Sequence, residues 1–403
     1  MEAFEEMKDL ARAIGYDVVG EVLQKRHSIH PAHFVGRGKL EEVSRLAAET
    51  GATTLLVDAE LNPRQVRNLE RETGLSIEDR SEIVLNIFAR RARTSQAKLQ
   101  VELARLQYTL PRLRRMWTHL SRTEGRVGVR AGSGEKQLEE DLRVIRRKIF
   151  DLKRSLREIE ERKQREVANR TEDFTVSLVG YTNAGKSTLM NVLTGAGTLV
   201  EDKVFATLDT MTRVWELPSK RKVLLSDTVG FLRRLPHHLI RSFHATLEET
   251  RKADLLLHVV DASNPGASSQ ISAVRDVLEE IGAADKPTIV VLNKIDRIGS
   301  RLDFQLLKNE VESPVSLSAM TGEGIDELRR RVMEKLDEVR EEFEITVPVR
   351  DGRILSMVSR VGIVLERENL EDAVRLRLRL TPANSGRLSK TLQSEGLMLR
   401  RIV

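Results

Sequence analysis

The chain has 403 residues, of which 32% are charged and 40% hydrophobic, with a net charge of +6 and no cysteine. This length exceeds a single core of roughly 250 to 300 residues, so we expect three or four domains, and the missing thiols exclude disulfides, thiolate metal sites and thiol catalysis. No run approaches the roughly 20 apolar residues of a membrane span, and residues 1–10 are acidic where a signal peptide would be basic, so we expect a cytoplasmic globular protein.

The first segment, residues 1–90, mixes short strand-like and helix-like patterns. Runs at 18–23 and 54–57 are rich in the apolar and β-branched residues that favour strands. Runs at 40–49 and 63–73 have the periodicity of amphipathic helices. Together they predict a small α/β domain.

Residues 91–170 contain two apolar series that step by four and three positions, which predicts two long helices paired as an antiparallel hairpin. The series are Leu99, Leu103, Leu106, Leu110 and Leu113, then Leu138, Leu142, Ile145, Ile149, Leu152, Leu156 and Ile159. Pro111 is expected to kink or end the first helix, because it lacks an N–H. The connection at 116–135 exceeds the usual loop length, which predicts a long functional loop at the tip.

The same segment concentrates positive charge. Residues 90–170 hold 23 Arg and Lys against 11 Asp and Glu, so the rest of the chain is net negative. A basic segment on an acidic body predicts binding to RNA phosphates, although a solvated helix surface has the same composition. The predicted RNA-binding residues are Arg112, Arg114, Arg115, Arg122, Arg126 and Arg130.

Over residues 173–341 buried strands alternate with helices, which predicts a mainly parallel sheet covered on both faces. The predicted strands are 175–179, 223–226, 255–260, 288–292 and 314–317. Residues 344–403 predict a small α+β domain with the order strand, helix, two strands, helix, strand.

A Gly-x4-Gly-Lys-Ser pattern follows the first of these strands. Between a strand and a helix it predicts a phosphate loop, whose backbone N–H groups surround a β-phosphate while Lys186 neutralises phosphate charge and Ser187 binds Mg²⁺. A glycine turn that merely caps a helix is the alternative. The predicted nucleotide contacts are Gly180, Tyr181, Thr182, Asn183, Ala184, Gly185, Lys186, Ser187 and Thr188.

Two further segments are predicted to complete the magnesium and γ-phosphate site. Asp227, at the end of a strand, reaches Mg²⁺ through water, and the Gly230 amide senses the γ-phosphate. Thr207 is predicted to complete the magnesium shell, with Thr210 and Thr212 as competing candidates. The contacts predicted here are Phe205, Ala206, Thr207, Leu208, Asp209, Asp227, Thr228, Val229 and Gly230.

Base selection is predicted at the ends of the last two strands. The Asp296 carboxylate can accept from the ring N–H and the exocyclic amine of guanine, whereas adenine would leave it unpaired, so GTP is favoured over ATP. Backbone amides after the final strand are predicted to close over the base. The residues are Asn293, Lys294, Ile295, Asp296, Ser318, Ala319 and Met320.

The catalytic position holds Phe231, where many GTPases place a glutamine that orients water. Charge developing between the β- and γ-phosphates then needs another partner, and Asn183 suggests a K⁺ ion held by its side-chain oxygen. The alternative is that Asn183 caps the local turn. The predicted catalytic residues are Asn183, Lys186, Thr207 and Gly230.

Motifs along nearly the whole chain resemble those of the HflX GTPases. They are Phe34-Val35-Gly36-Arg37-Gly38-Lys39, Arg91-Ala92-Arg93-Thr94, Lys98-Leu99-Gln100-Val101-Glu102-Leu103, Leu110-Pro111-Arg112-Leu113, the phosphate loop, Phe205-Ala206-Thr207-Leu208-Asp209 and Ala245-Thr246-Leu247-Glu248-Glu249. The resemblance implies a protein that binds the large ribosomal subunit, and we expect the free protein to be monomeric. With GTP it would split stalled or idle 70S ribosomes, notably under heat stress.

Three other interpretations remain open. A ribosome-assembly checkpoint GTPase would share the fold and the basic segment but bind immature subunits. A small-substrate P-loop kinase conflicts with the guanine motif that ends at Asp296. A coiled-coil scaffold would use the nucleotide only as a folding ligand.

Overall fold

A computed structural model of the chain describes residues 2–25, 28–124, 131–168, 174–195, 211–218, 221–228, 230–231, 244–338, 341–380 and 382–402. Within the long helices, the side chains of residues 114–124, 131–138, 160 and 163–168 are outside this description.

The N-terminal region forms the predicted α/β domain. Helix formation follows local signals: Asn62 accepts hydrogen bonds from the Arg64 and Gln65 amides in a capping box, Pro63 takes the first helical position, and Gly74 ends the helix at φ +70°. The two strands pair in parallel. The elements are α1 (Glu2–Ala13), α2 (Arg37–Thr50), β1 (Thr54–Val57), α3 (Pro63–Thr73), β2 (Ser76–Asp79) and α4 (Arg80–Arg91).

The strand predicted at 18–23 is wrong. Residues 16–25 have no regular secondary structure, and Val19 and Leu23 are 51% and 60% exposed. Gly20 lies so close to α2 that an added Cβ would be 2.8 Å from Leu46 Cδ2. A strand needs a hydrogen-bonded neighbour. In the described part of this domain, β1 pairs with β2 alone.

The helical hairpin consists of α5 (Ser95–Glu124) and α6 (Ala131–Ala168). Helix α5 continues through Pro111 rather than ending there. The long loop predicted at 116–135 is also wrong, because helix occupies both ends of that range and leaves only 125–130 between the helices. Packing of the first half of α5 against α4 and the rest of the apolar cluster outweighs the cost of one proline.

The central domain contains a six-stranded sheet in the order β4-β5-β3-β6-β7-β8, parallel except for the edge strand β4. Helices cover both faces, as predicted. The strands are β3 (Phe174–Gly180), β4 (Met211–Leu217), β5 (Arg221–Asp227), β6 (Leu255–Asp261), β7 (Thr288–Asn293) and β8 (Val315–Ser316). The helices are α7 (Lys186–Thr194), α8 (His244–Lys252), α9 (Ala267–Glu280), α10 (Arg301–Asn309) and α11 (Ile325–Glu338), with a 3₁₀ turn at Ile295–Arg297.

One apolar cluster joins the N-terminal domain, the base of the hairpin and the central sheet. It contains Leu10 of α1, Phe88 of α4 and Val101 of α5 together with Leu256 of β6 and Phe231. All five side chains are buried. The N-terminal domain therefore packs beside the edge where β3 ends.

The C-terminal residues form an antiparallel sheet in the order β10-β11-β9-β12, and the predicted succession of elements is confirmed. Alternate residues such as Ile345 and Leu378 are buried under Val358 and Leu392 of the two helices. The elements are β9 (Glu341–Pro348), α12 (Gly352–Val361), β10 (Ile363–Asn369), β11 (Ala373–Leu380), α13 (Pro382–Ser394) and β12 (Arg400–Ile402).

Candidate nucleotide-binding site

The predicted nucleotide residues converge on one edge of the central sheet. Gly180 ends β3, Asp227 ends β5, Asn293 ends β7, and Ser318 lies two residues after β8. These strands are parallel, so their carboxyl ends meet at the same edge, where open α/β sheets bind ligands.

The loop between β3 and α7 requires its two glycines. A Cβ at Gly180 would lie 2.2 Å from the Val259 carbonyl oxygen. A Cβ at Gly185, whose φ is +93°, would lie 2.3 Å from Nδ2 of Asn293. The backbone can therefore follow a tight path into the N-terminus of α7, where N–H groups favour an anion.

Asn183 has a left-handed backbone, with φ +62°. Asparagine tolerates this conformation better than most residues. Its side chain is exposed and forms no hydrogen bond with any residue that the structure describes. The side chain therefore does not act as the turn cap considered above.

Lys186 is buried at the start of α7, and its Nζ donates to the carbonyl oxygens of Gly180 at 3.0 Å and Tyr181 at 2.8 Å. Burial lowers the pKa of Lys186 to about 8, which the nearby Asp227 carboxylate opposes. A buried ammonium group held by neutral carbonyls is electrostatically unsatisfied. A phosphate placed here would supply the missing negative charge.

Two side chains whose oxygens could bind a metal ion lie together beside the loop. Ser187 Oγ donates to Asp227 Oδ2 at 2.6 Å, and Asp227 is 2% exposed. Next to it, Thr228 Oγ1 donates to the Leu178 carbonyl at 2.6 Å, which holds the end of β5 against β3. A hydroxyl and a carboxylate are ligands suited to Mg²⁺, so these residues fit the magnesium ion that the fold implies.

The segment after Asp227 is tied directly to the phosphate loop. Phe231 N donates to the Gly180 carbonyl at 3.0 Å, and Thr182 N donates to the Phe231 carbonyl at 2.8 Å. A Cβ on Gly230 would lie 3.0 Å from Lys186 Nζ. The Phe231 side chain, 2% exposed, packs in the apolar cluster shared with the N-terminal domain, so it cannot orient water.

At the base-recognition end, Ser318 Oγ donates to Asp296 Oδ1 at 2.5 Å and holds the carboxylate. Asn293 is a brace between two loops: its Nδ2 donates to the Ala184 carbonyl at 2.8 Å, and its Oδ1 accepts from the Ala319 amide at 3.0 Å. The Met320 amide donates to Ser318 Oγ at 3.3 Å. The Ala319 amide is thus held by Asn293 and the Met320 amide by Ser318, and the closure of these amides over a base stays a prediction.

Sequence reasoning missed Asp261 at the end of β6. Its Oδ2 accepts a 2.8 Å hydrogen bond from Lys294 Nζ, and Lys294 has a left-handed φ of +64°. This ion pair holds the residue that precedes Ile295 and Asp296 in position. The signal was available, because Asp261 also lies at the carboxyl end of a parallel strand.

The predicted residues Phe205, Ala206, Thr207, Leu208, Asp209 and Val229 lie outside the described residues, as does Thr210. The remaining candidate for the magnesium shell, Thr212, lies in β4. Its hydroxyl is 2.9 Å from Ser226 Oγ on the adjacent strand. Thr212 is therefore part of the sheet pairing.

Arg112, predicted to bind RNA, instead anchors the hairpin to the N-terminal domain. Its Nη2 donates to Asp79 Oδ2 at 2.6 Å and to the Leu61 carbonyl at 2.9 Å, and its guanidinium lies over the Tyr108 ring. The Asp79 carboxylate also accepts from the Tyr108 hydroxyl at 2.7 Å. These contacts disfavour an RNA role for Arg112, which stays a prediction, and they assign its side chain to the anchor between the hairpin and the N-terminal domain.

The other predicted RNA contacts are not described by the structure. The side chains of Arg114, Arg115 and Arg122 lie outside its description, as do residues Arg126 and Arg130 altogether.

A parallel sheet with a phosphate loop, a serine and aspartate suited to Mg²⁺, and a carboxylate held for a base defines a P-loop GTPase. Family models match the chain in order: "GTP-binding GTPase N-terminal" over 1–89, "GTP-binding GTPase Middle Region" over 91–170, "50S ribosome-binding GTPase" over 175–294 and "HflX C-terminal domain" over 305–397.

Full-length relatives give the family. GTPase HflX of Magnetococcus marinus is 43% identical over 397 residues, covering 98% of this chain and 91% of that protein. GTPase HflX of Escherichia coli K12 is 41% identical over 398 residues, covering 97% and 92%. The chain belongs to the HflX family of GTPases and hydrolyses GTP.

Among solved structures, a GTP-binding protein from Sulfolobus solfataricus in complex with GDP is 27% identical, covers 83% of this chain and 95% of that chain, and superimposes with a TM-score of 0.42. In the described ranges of our chain, no helix has the length and apolar character needed to cross a membrane.

Proposed function

We propose that this GTPase acts in the cytoplasm, binds the large ribosomal subunit as a monomer, and uses GTP to split stalled or idle 70S ribosomes, notably during heat stress. The observation that carries the proposal is the continuous apolar cluster from Phe231, after the γ-phosphate-sensing glycine, to α4 and α5. Through it, the nucleotide state can bias the position of a long basic hairpin.

The proposed nucleotide roles follow the geometry of the site. Lys186 binds the β- and γ-phosphates, Ser187 and Asp227 hold Mg²⁺ together with Thr207, and the Gly230 amide contacts the γ-phosphate. Asp296, oriented by Ser318, selects guanine. When bound, Mg²⁺ neutralises charge on the phosphate oxygens.

Asn183 is proposed to hold K⁺ beside the phosphates. Its exposed side chain lies in the phosphate loop and forms no hydrogen bond with any residue that the structure describes. A cation there would supply the charge that Phe231 cannot.

The tip of the hairpin is proposed to reach ribosomal RNA near the catalytic centre of the large subunit. Residues 90–130 hold 11 basic side chains against two acidic ones. With Arg112 assigned to the anchor, the proposed RNA contacts are Arg114, Arg115, Arg122, Arg126 and Arg130. Replacing Arg122, Arg126 and Arg130 together by Ala should stop splitting while GTP affinity is retained.

Sedimentation of 70S ribosomes with GTP, GDP or a non-hydrolysable GTP analogue tests the proposal. We expect conversion of 70S particles to free subunits with GTP and the analogue but not with GDP. Intact 70S particles in all three conditions would contradict splitting. Selective co-sedimentation with immature large subunits would instead identify an assembly checkpoint GTPase.

A further inference from the structure

One face of α6 is a basic stripe that surrounds an exposed aromatic ring. Measured from Phe150, the basic residues lie three, four or seven positions away in both directions, and these spacings put side chains on one face of a helix. The basic stripe consists of Arg143, Arg146, Arg147, Phe150, Lys153, Arg154 and Arg157.

The stripe faces away from the rest of the hairpin. Phe150 is 66% exposed, whereas Leu142 and Leu152 are each 7% exposed and belong to the apolar seam that packs on α5. Lys148, on the α5 side, forms a 2.5 Å ion pair with Glu102 of that helix. The ring on the outer face contributes nothing to the hairpin's own packing, so it is available to stack on a partner that the surrounding positive charges attract.

The charges of the stripe are largely uncompensated. Within the described residues, no ion pair involves Arg143, Arg146, Arg147, Lys153 or Arg157. The sixth basic residue, Arg154, approaches Asp151 at 3.6 Å and Glu158 at 3.9 Å, both longer than a hydrogen bond. Six positive charges thus lie along 15 residues, or about 21 Å of helix.

We propose that the basic stripe binds ribosomal RNA along the side of the hairpin, with the arginines on consecutive phosphates and Phe150 stacked on an unpaired base. Positive charge with an interposed aromatic ring matches RNA, which offers both phosphates and base faces. The inference rests on the proposed ribosomal function and extends the contact surface beyond the tip.

An anionic membrane is a poorer match for the same charges. A helix that lies in a membrane interface buries a continuous apolar face. The apolar face of α6 is occupied by α5, and Phe150 is the single apolar residue within the stripe. Electrostatic attraction to phosphates alone, without insertion, leaves the exposed ring unexplained.

The test compares two triple variants of the full chain. The stripe variant carries Arg146→Gln, Arg147→Gln and Arg157→Gln; the matched control carries Arg301→Gln, Lys308→Gln and Arg367→Gln, which removes three exposed positive charges outside the hairpin. Affinity for purified large-subunit RNA, and for whole large subunits with a non-hydrolysable GTP analogue, is measured between about 50 and 200 mM salt.

Loss of three phosphate contacts should reduce the slope of log affinity against log salt by about 2 to 3 in the stripe variant and leave the control near the parent. Phe150→Ala should weaken binding about tenfold with an unchanged slope, and Phe150→Trp should retain affinity, because stacking is not ionic. Circular dichroism checks that α6 stays helical in each variant.

Equal slopes in the parent and the stripe variant, or equal losses in the stripe variant and the control, would overturn the proposal. So would stripe-dependent binding to phosphatidylserine vesicles with RNA binding unaffected. The naked-RNA arm separates this inference from the proposed function: a parent that binds RNA through the stripe but never splits 70S ribosomes would refute splitting alone. A parent that splits ribosomes without using the stripe would refute the stripe alone.

Discussion

Arg112 of α5 donates a 2.6 Å hydrogen bond to the carboxylate of Asp79, which ends β2 and caps α4. Asp79 is 1% exposed, and its two oxygens also accept from the Leu61 and Glu82 amides. One buried carboxylate therefore joins β2, α4 and α5 of the hairpin to the loop that precedes α3. The contact between Arg112 and Asp79 therefore fixes the orientation of the hairpin relative to the N-terminal domain.

Arg112→Ala should lower the free energy of unfolding by about 3 kcal/mol, because it leaves the Asp79 charge buried and unpaired. Urea denaturation measures the change. Arg105→Ala, on an exposed position of the same helix, is the matched control and should change stability by less than about 0.5 kcal/mol. An unchanged stability combined with a smaller salt slope for RNA would restore Arg112 as an RNA contact.

Asp296→Asn should lower GTP affinity roughly 10- to 100-fold and favour xanthosine triphosphate, since an amide cannot accept from both guanine donors. Ser318→Ala should weaken GTP binding more mildly, because it releases the carboxylate that Ser318 holds at 2.5 Å. Competition against labelled GTP measures both variants. Retained guanine preference in Asp296→Asn would remove Asp296 from base recognition.

GTP hydrolysis should be faster in K⁺ than in Na⁺, and Asn183→Ala should abolish the difference. The reason is that the exposed side-chain oxygen of Asn183 is the proposed K⁺ ligand. Phe231, which is buried, cannot orient the attacking water or stabilise charge on the phosphates. Initial rates at equal ionic strength decide the matter. Identical rates for the parent in both salts would eliminate the potassium site.

Lys186→Met should stabilise the nucleotide-free protein at pH 7 by about 3 kcal/mol while abolishing stabilisation by GTP. Burial lowers the pKa of Lys186 to about 8, and each pKa unit corresponds to about 1.4 kcal/mol. The folded chain releases this proton before the unfolded chain does, so the stability of the parent should rise as the pH increases from 8 to 10.5. Thermal melts across that range should show no such rise in the variant.

His258 in β6 is 2% exposed, and burial, reinforced by Arg275 and Lys186, lowers its pKa to about 3. The unfolded chain binds the proton first, so stability is complete above pH 6.5 and is lost as the pH falls toward 3. His258→Gln should remove about 2 kcal/mol of the loss between pH 6.5 and 5. Free energies of unfolding at pH 7.5 and 5 provide the measurement; parallel pH profiles would contradict it.

The sequence by itself predicted the nucleotide site and determined the class of the central domain. A phosphate site requires backbone amides, an ammonium group and a hydroxyl group close to one another, and a single strand–loop–helix unit can supply all of them. The residues that do so here are Gly180, Gly185, Lys186 and Ser187. The spacing of apolar residues in the central strands and in the C-terminal elements is also a local pattern. The structure confirms the strands and helices that this spacing predicts.

Tertiary structure decided which partner each side chain has. Arg112 has the residue type and the basic neighbours of an RNA contact, but Asp79, 33 positions away, lies beside it. Residues 18–23 have the residue types of a strand, but no strand in the described part of the chain pairs with them. Asn293 became a brace only when the phosphate loop, 109 positions earlier, was placed against it. Such contacts depend on how separate elements pack, and a linear pattern of residue types does not specify that geometry.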